Sequence, residues 1–187
     1  MPLAIGREFN MAAHELFNRE KLVTGILISR LEYREDLLTA LEAEFGPPDY
    51  ISELLDFSFT RYYDKEMGAP IMRFFIAFEQ LVEPDRLAAI KLITGKVEQS
   101  FLDKGNRKVN LDPGLLSLSR FILASTKDSS HRIPLSSGIY GEITLMYEKN
   151  EFRPVEWTYP DYQCEKYRLI LKEIRALYVK QLEQQLK

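Results

Sequence analysis

The residue types best suited to chemistry crowd into residues 108–162, between short apolar segments. A polar loop in this stretch carries Lys127, His131 and Arg132. Lysine supplies a point charge and arginine a bidentate fork, the combination that phosphate and carboxylate ligands favour. Histidine can carry a proton near neutral pH. The loop is therefore predicted to bind a small anionic ligand; the alternative is a solvated hairpin connection with no ligand.

Two carboxylates accompany this loop. Asp112 lies in Asn110-Leu111-Asp112-Pro113-Gly114, where proline and glycine predict a sharp turn at the end of a short strand, and Glu142 lies on the polar face of a later strand. We expect Asp112 and Glu142 to hold a divalent cation such as magnesium, or to exchange protons together with His131. The catalytic candidates are thus Asp112, His131 and Glu142. The alternatives are a turn closed by Asp112 and a solvated strand face around Glu142.

Aromatic side chains close the stretch in Trp157-Thr158-Tyr159-Pro160-Asp161-Tyr162. Trp157 and Tyr159 are predicted to wall a ligand pocket, or else to seal the core. Asp161 is a ligand candidate, although its position before the last helix also suits a helix cap. The predicted ligand-binding residues are Arg61, Asn110, Lys127, Arg132, Tyr140, Trp157, Tyr159 and Asp161.

Hydrophobic periodicity predicts the elements that must position these groups. Continuous apolar runs predict buried strands, and alternating runs predict half-exposed ones, at residues 22–28, 54–59, 71–78, 108–111, 121–125, 139–147 and 152–157. Apolar residues at spacings of three and four predict helices over residues 37–45, 84–101 and 163–186. Gly46 is expected to end the first helix and Pro84 to open the second, while Gly95 suggests a close approach of backbone or ligand.

The order strand, helix, strand, strand, helix, strand predicts an α+β fold with a ferredoxin-like split βαβ core. Extra antiparallel strands and a C-terminal helix would extend it. A length of 187 residues favours a single domain over residues 1–187. Within it, we expect residues 1–20 to be an N-terminal extension with a short helix at 8–19, and residues 21–187 to be the core.

Composition excludes several classes of function. The formal net charge of -3, with acidic and basic residues mixed, gives no basic stripe for a nucleic-acid partner. A single cysteine excludes an internal disulfide and suits a reducing compartment. No apolar run has the length of a signal peptide or a bilayer span, which predicts a cytoplasmic protein without a membrane partner. No P-loop and no G-x-G-x-x-G motif is present.

Six sequence blocks occur together in this chain. They are Phe59-Thr60-Arg61-Tyr62-Tyr63 with Glu66-Met67-Gly68, Asn110-Leu111-Asp112-Pro113-Gly114, Ala124-Ser125-Thr126-Lys127, His131-Arg132-Ile133, Gly138-Ile139-Tyr140 with Glu142, and Trp157-Thr158-Tyr159-Pro160-Asp161-Tyr162. In combination they resemble a bacterial family of domains of unknown function, numbered 4416, over about residues 22–178. The resemblance implies a bacterial cytoplasmic protein and carries over no catalytic residue. Members are often labelled GTP-binding proteins, whereas this chain has neither a P-loop nor an N-K-x-D motif.

Two hypotheses remain from the sequence. The first is a polar site for a phosphorylated or nucleotide-like small ligand, with or without catalysis. The second is a non-catalytic interaction module, in which an exposed sheet edge or the C-terminal helix binds a partner or a second copy in a homodimer.

Overall fold

The computed structural model describes residues 17–185. The strands in this range are β1 (Glu20–Ile28), β2 (Pro48–Ile51), β3 (Leu55–Asp56), β4 (Met72–Val82), β5 (Leu102–Asp103), β6 (Asn106–Arg107), β7 (Val109–Leu116), β8 (Arg120–Ser125), β9 (Ile133–Pro134), β10 (Tyr140–Glu148) and β11 (Glu151–Pro154). The α-helices are α1 (Arg34–Phe45), α2 (Asp64–Met67), α3 (Leu87–Ser100), α4 (Pro160–Gln163) and α5 (Glu165–Gln185). Short 3-10 turns at Leu31–Tyr33 and Pro84–Arg86 lead into α1 and α3.

The main sheet is antiparallel throughout and has the strand order β11-β10-β8-β7-β1-β4-β2. Its β7-β1-β4-β2 part contains two interlocked split βαβ units. In one, α1 connects β1 to β2 with β4 between them; in the other, α3 connects β4 to β7 with β1 between them. The predicted ferredoxin-like core is therefore confirmed. Strands β8, β10 and β11 extend the sheet, and α5 supplies the predicted C-terminal helix.

Both faces of the central strands are covered. Helices α1 and α3 pack on one face, around a core that includes Ile26, Phe74 and Leu111. Helix α5 packs on the other, around Phe75 and Phe121. A strand that is buried on both faces needs apolar side chains on both faces. Strands β1 and β4 therefore appear in the sequence as nearly continuous apolar runs, as predicted.

The predicted helix boundaries follow from identifiable residues. Gly46 has φ 83°, and its N–H donates to the carbonyl of Glu42 at 2.8 Å, which ends α1. Pro84 begins the turn that leads into α3, where its missing N–H removes no helical hydrogen bond. Gly95 does not mark a close approach, because a Cβ at this position would meet nothing within 4 Å.

The predicted sharp turn at residues 112–114 is wrong: β7 continues through them and pairs with β1 along its length. The N–H of Leu111 donates to Glu98 Oε1 and its C=O accepts from Lys91 Nζ, both at 2.6 Å. The peptide groups of Leu111 therefore point away from β1. Pro113 lies two residues further along β7, so its backbone nitrogen also faces away from β1. Pairing with β1 therefore requires no N–H from Pro113. Strand β8 joins this edge of β7 only at residues 114–116.

Two other strand predictions need correction. The strand predicted at residues 54–59 is reduced to β3, two residues long. The alternation predicted over residues 139–147 is also interrupted. A register shift between Ile143 and Leu145 reverses the alternation, so Ile139 packs under α1 and α3 while Leu145 packs under α5. The alternative of a solvated strand face does not hold at Glu142 and Thr144, which are both buried.

The N-terminal extension falls mostly outside the described range. The helix predicted over residues 8–19 lies outside it as far as residue 16, and residues 17–19 have no regular structure. None of the helices between residues 17 and 185 combines the length and the apolarity that a bilayer crossing requires.

Candidate functional site

The first polar cluster centres on Arg73, a residue that the sequence analysis did not single out. Arg73 lies on β4 and is 2% exposed. Its Nη2 donates to Asp161 Oδ2 at 3.1 Å, and its Nη1 lies 3.4 Å from Asp112 Oδ2. Because a buried charge is stable only when it is paired, these two carboxylates, from β7 and α4, stabilise the guanidinium in the interior.

One glycine makes room for this cluster. Gly25 on β1 pairs with Phe75 of β4 on one side and with Asp112 of β7 on the other. A Cβ at Gly25 would lie 2.7 Å from both Arg73 Nη1 and the Tyr162 hydroxyl. The missing side chain leaves the space over β1 through which the guanidinium reaches from β4 toward β7.

Aromatic rings enclose the guanidinium. Its Cζ lies 5.4–5.9 Å from the ring centroids of Phe57, Phe75, Tyr162 and Tyr167. Burial raises the pKa of Tyr167 to about 12. Burial also raises the pKa of Asp161, against the opposing effect of Arg73. These groups therefore sit in an environment that penalises added negative charge.

The solvent side of this cluster is formed by Asp112 and Tyr63. The Asp112 side chain is 26% exposed, so it is the carboxylate of the cluster that a ligand can reach. Burial, and then the nearby charge of Asp112, raise the pKa of the Tyr63 hydroxyl. Lys91 Nζ lies 4.0 Å from the other oxygen of Asp112.

Asn110 belongs to a neighbouring network that holds the segment leading out of α2. Arg107 binds Glu66 through two hydrogen bonds of 2.7 Å, and donates from Nη1 to Asn110 Oδ1 at 3.0 Å. Lys108 Nζ donates to the carbonyl of Met67 at 3.1 Å. The buried Nδ2 of Asn110 has no hydrogen-bond partner within residues 17–185. Asn110 thus faces protein groups in this structure, and its predicted ligand contact stays a prediction.

The second polar cluster centres on Glu142, which is 2% exposed. Its Oε2 accepts from Arg132 Nε at 2.7 Å and lies 3.0 Å from His131 Nε2. Arg132 also donates from Nη1 to the carbonyl of Lys127 at 2.7 Å and from Nη2 to the Tyr159 hydroxyl at 2.6 Å. All three nitrogens of Arg132 are therefore engaged, and this side chain organises the loop.

The indole of Trp157 fixes the histidine of this cluster. The two rings stack with centroids 5.1 Å apart and planes inclined by 12°. Trp157 Nε1 donates to the carbonyl of Ile143 at 2.8 Å, which holds the indole against β10. Trp157 thus packs against a protein ring in this structure, and its predicted role as the wall of a ligand pocket stays a prediction.

Exposed side chains connect the two clusters. Lys127 Nζ lies 4.7 Å from the ring centroid of Tyr62, and the Tyr62 and Tyr63 rings are 5.0 Å apart. Tyr159, bound by Arg132, immediately precedes the helix α4 that carries Asp161. We call this arc the polar rim. It comprises Tyr62, Tyr63, Asp112, Lys127, Arg132, Tyr159 and Asp161.

The structure brings most of the predicted residues to one region but not into one constellation. Asp112 and Asp161 share Arg73, whereas Glu142 binds His131 and Arg132. Within residues 17–185, no group of three or more histidine, cysteine, aspartate or glutamate side chains is placed to hold a metal ion. The predicted magnesium at Asp112 and Glu142 thus has no third such ligand there.

The positions of two predicted ligand-binding residues, Arg61 and Tyr140, do not indicate what they bind. Arg61 is exposed and makes no side-chain hydrogen bond or ion pair to the described part of the chain. Tyr140 is half-buried on β10, where its backbone pairs with Ser125 and Pro134. Their ligand contacts stay predictions.

Two surface cavities lie away from the polar rim. One, of about 410 Å³, lies between the start of β1 and the end of α5 and includes Glu20, Arg120 and Tyr178 in its lining. The other, of about 390 Å³, lies at the edge strand β2 and includes Ile51 and Leu169. No predicted site residue lines either cavity.

Sequence reasoning missed Arg73 because it lies in the apolar run that became β4. A signal was nevertheless present: a lone arginine between Met72 and Phe74, and a lone glycine, Gly25, in the apolar run of β1. A charge inside a strand that is buried on both faces requires a partner, and a glycine in such a strand indicates a close approach.

The fold and these clusters define the class of the protein. It is an α+β protein with an extended ferredoxin-like core, a buried arginine–carboxylate cluster and an adjoining polar rim. Residues 18–178 match the family model described as Domain of unknown function (DUF4416), and the chain belongs to that family. No curated protein and no solved structure matches the chain.

Proposed function

We propose that the polar rim binds a small phosphorylated or nucleotide-like ligand, in a cytoplasmic protein. The observation that carries the proposal is the absence of an ion-pair partner for Lys127 in the described part of the chain. Its ammonium group lies over the Tyr62 ring and has no carboxylate within ion-pair distance among residues 17–185. The cation is thus available to an anionic ligand, and the single thiol, Cys164, suits a reducing compartment.

The surroundings of Lys127 fit the two halves of such a ligand. Tyr62 and Tyr159 are 64% and 44% exposed, so each offers a ring face on which a base or sugar can stack. Asp112, at the other end of the polar rim, can accept hydrogen bonds from sugar hydroxyls. Arg132, whose nitrogens are all occupied, positions Tyr159 in this arrangement and does not bind the anion directly.

Binding is tested by calorimetric titration of nucleotides and sugar phosphates, with and without magnesium. We expect at least one ligand to bind, and Lys127→Ala to weaken it by about tenfold or more, since a charge-assisted contact contributes roughly 1.5–3 kcal/mol. Lys96→Ala is the matched control, because Lys96 is an exposed lysine on α3, away from the polar rim. Equal affinities of the two variants, or no binding by any ligand, would contradict the proposal.

A second candidate function, a homodimer, is favoured by the apolar surface at β2. This strand is at one end of the sheet, and Ile51 and Leu169 beside it are 39% and 51% exposed. We expect a homodimer to bury these side chains. Light scattering would then give a dimer mass for the wild type and for Leu92→Glu, which changes an exposed leucine on α3, and a monomer mass for Leu169→Glu. A wild type that stays monomeric at all concentrations would exclude this candidate.

A further inference from the structure

We propose that Ser129, His131 and Glu142 form a hydroxyl–imidazole–carboxylate relay in which Ser129 is a nucleophile for acyl transfer from small esters. The Ser129 hydroxyl lies 3.1 Å from His131 Nδ1, and Glu142 Oε2 lies 3.0 Å from His131 Nε2. The imidazole thus bridges a serine and a buried carboxylate through its two different nitrogens. This activity goes beyond ligand binding at the polar rim and does not depend on it.

The hydrogen bonds assign the protons of the relay. Arg132 Nε can only donate, so Glu142 Oε2 is an acceptor in their 2.7 Å contact. The nitrogen that faces the same oxygen, His131 Nε2, therefore carries hydrogen and donates. His131 Nδ1 then has the free lone pair and accepts from the Ser129 hydroxyl. This is the tautomer that can remove a proton from serine.

The imidazole is held in this orientation from two sides. The Trp157 indole stacks on the ring and is itself bonded to the carbonyl of Ile143. Glu142 is fixed at the opposite nitrogen by Arg132. A base whose ring cannot rotate stays aligned with the hydroxyl that it must deprotonate, which is the requirement for general-base catalysis. Trp157 and Glu142 are thus positioning residues.

The loop also places Ser129 at the surface. Ser129 is partly exposed, and the Arg132 N–H donates to its carbonyl at 3.0 Å, which closes a turn around Ser130 and His131. The backbone N–H groups of Ser130 and His131 donate to no backbone acceptor in the described part of the chain. They are available to the oxyanion that forms when a nucleophile attacks a carbonyl.

The reaction balances with water as the only co-reactant. Ser129 Oγ attacks the ester carbonyl carbon, and its proton moves to His131 Nδ1. The carbonyl reforms, the bond to the leaving oxygen breaks, and that oxygen takes the proton from Nδ1. Water then attacks the acyl-serine with the same nitrogen as base, and releases a carboxylic acid and free Ser129. The hydroxyl uses Nδ1 and the carboxylate Nε2, the reverse of the usual hydrolase triad, but the relay requires only that they occupy opposite nitrogens.

The test is covalent labelling with a fluorophosphonate probe, read by mass spectrometry of the whole chain and of its peptides. The wild type is expected to gain one probe at Ser129, and Ser129→Ala to gain none. Ser136→Ala is the matched control, because it removes another exposed serine that lies outside the relay, and it should leave labelling unchanged. Hydrolysis of p-nitrophenyl acetate should show a burst in the wild type and in Ser136→Ala, and none in Ser129→Ala.

Two further variants separate catalysis from folding. His131→Gln should slow labelling by about 100-fold or more, the usual contribution of a general base. Glu142→Gln should slow it and also shift its pH profile, which a loss of folded protein would not do. Absence of labelling in the folded wild type, or labelling that persists in Ser129→Ala, would overturn the proposal. Labelling is measured without a polar-rim ligand, and ligand affinity is measured without the probe, so failure of either proposal leaves the other standing.

Discussion

Arg73→Met is expected to lower the free energy of unfolding by about 3–5 kcal/mol, the usual cost of leaving buried charges without their partner. Arg73 is 2% exposed and is the shared partner of Asp161 and Asp112. Methionine fills part of the volume but supplies no positive charge. Asp161, which is buried, would then have to be protonated or hydrated in the folded state, and either change costs free energy.

Urea denaturation of matched variants measures this effect. Arg19→Met is the control, since it breaks the ion pair with Glu83 in which both side chains are well exposed, and should change stability by less than about 1 kcal/mol. The double variant Arg73→Met with Asp161→Asn should recover part of the loss, because it removes one of the stranded charges. Equal stabilities of Arg73→Met and Arg19→Met would show that the cluster is not a stabilising unit.

Gly114→Ala is expected to destabilise the protein by roughly 1–3 kcal/mol, the cost of overpacking a core. A Cβ at Gly114 would lie 2.5 Å from the carbonyl oxygen of Ile122 and 2.7 Å from the Phe121 ring. The first of these atoms is backbone in the neighbouring strand β8, so it cannot move aside as a flexible side chain would. Gly114 is where β7 and β8 begin to pair, and the added methyl would force them apart.

Gly95→Ala gives the opposite expectation for the same chemical change. Gly95 lies within α3, and a Cβ there would meet nothing within 4 Å. Alanine favours the helix over glycine by about 0.5–1 kcal/mol, so this variant should be more stable than the wild type. Thermal unfolding of the two variants side by side checks both signs. A Gly114→Ala protein as stable as the wild type would mean that β7 and β8 do not approach as closely as the structure has them.

Local signals were enough to predict most elements of this fold. The apolar runs of β1 and β4, the glycine that ends α1 and the apolar stripe of α5 each depend on a few neighbouring residues. The errors arose where a local signal has two meanings. Pro113 and Gly114 usually indicate a turn, but here the proline occupies a strand position that needs no N–H and the glycine admits a neighbouring strand.

The candidate site also combines features that depend on neighbouring residues with features that depend on the tertiary structure. Residues close in sequence, such as Ser129, His131 and Arg132, lie in one polar loop, and the sequence alone located that loop. Only the tertiary structure paired Arg73 with Asp161, 88 residues away, and assigned Glu142 to His131 and Arg132. Hydrophobic periodicity determines which face of a strand is buried. The strand register and the docking of α4 decide which charges meet there, because those depend on the packing of the whole chain.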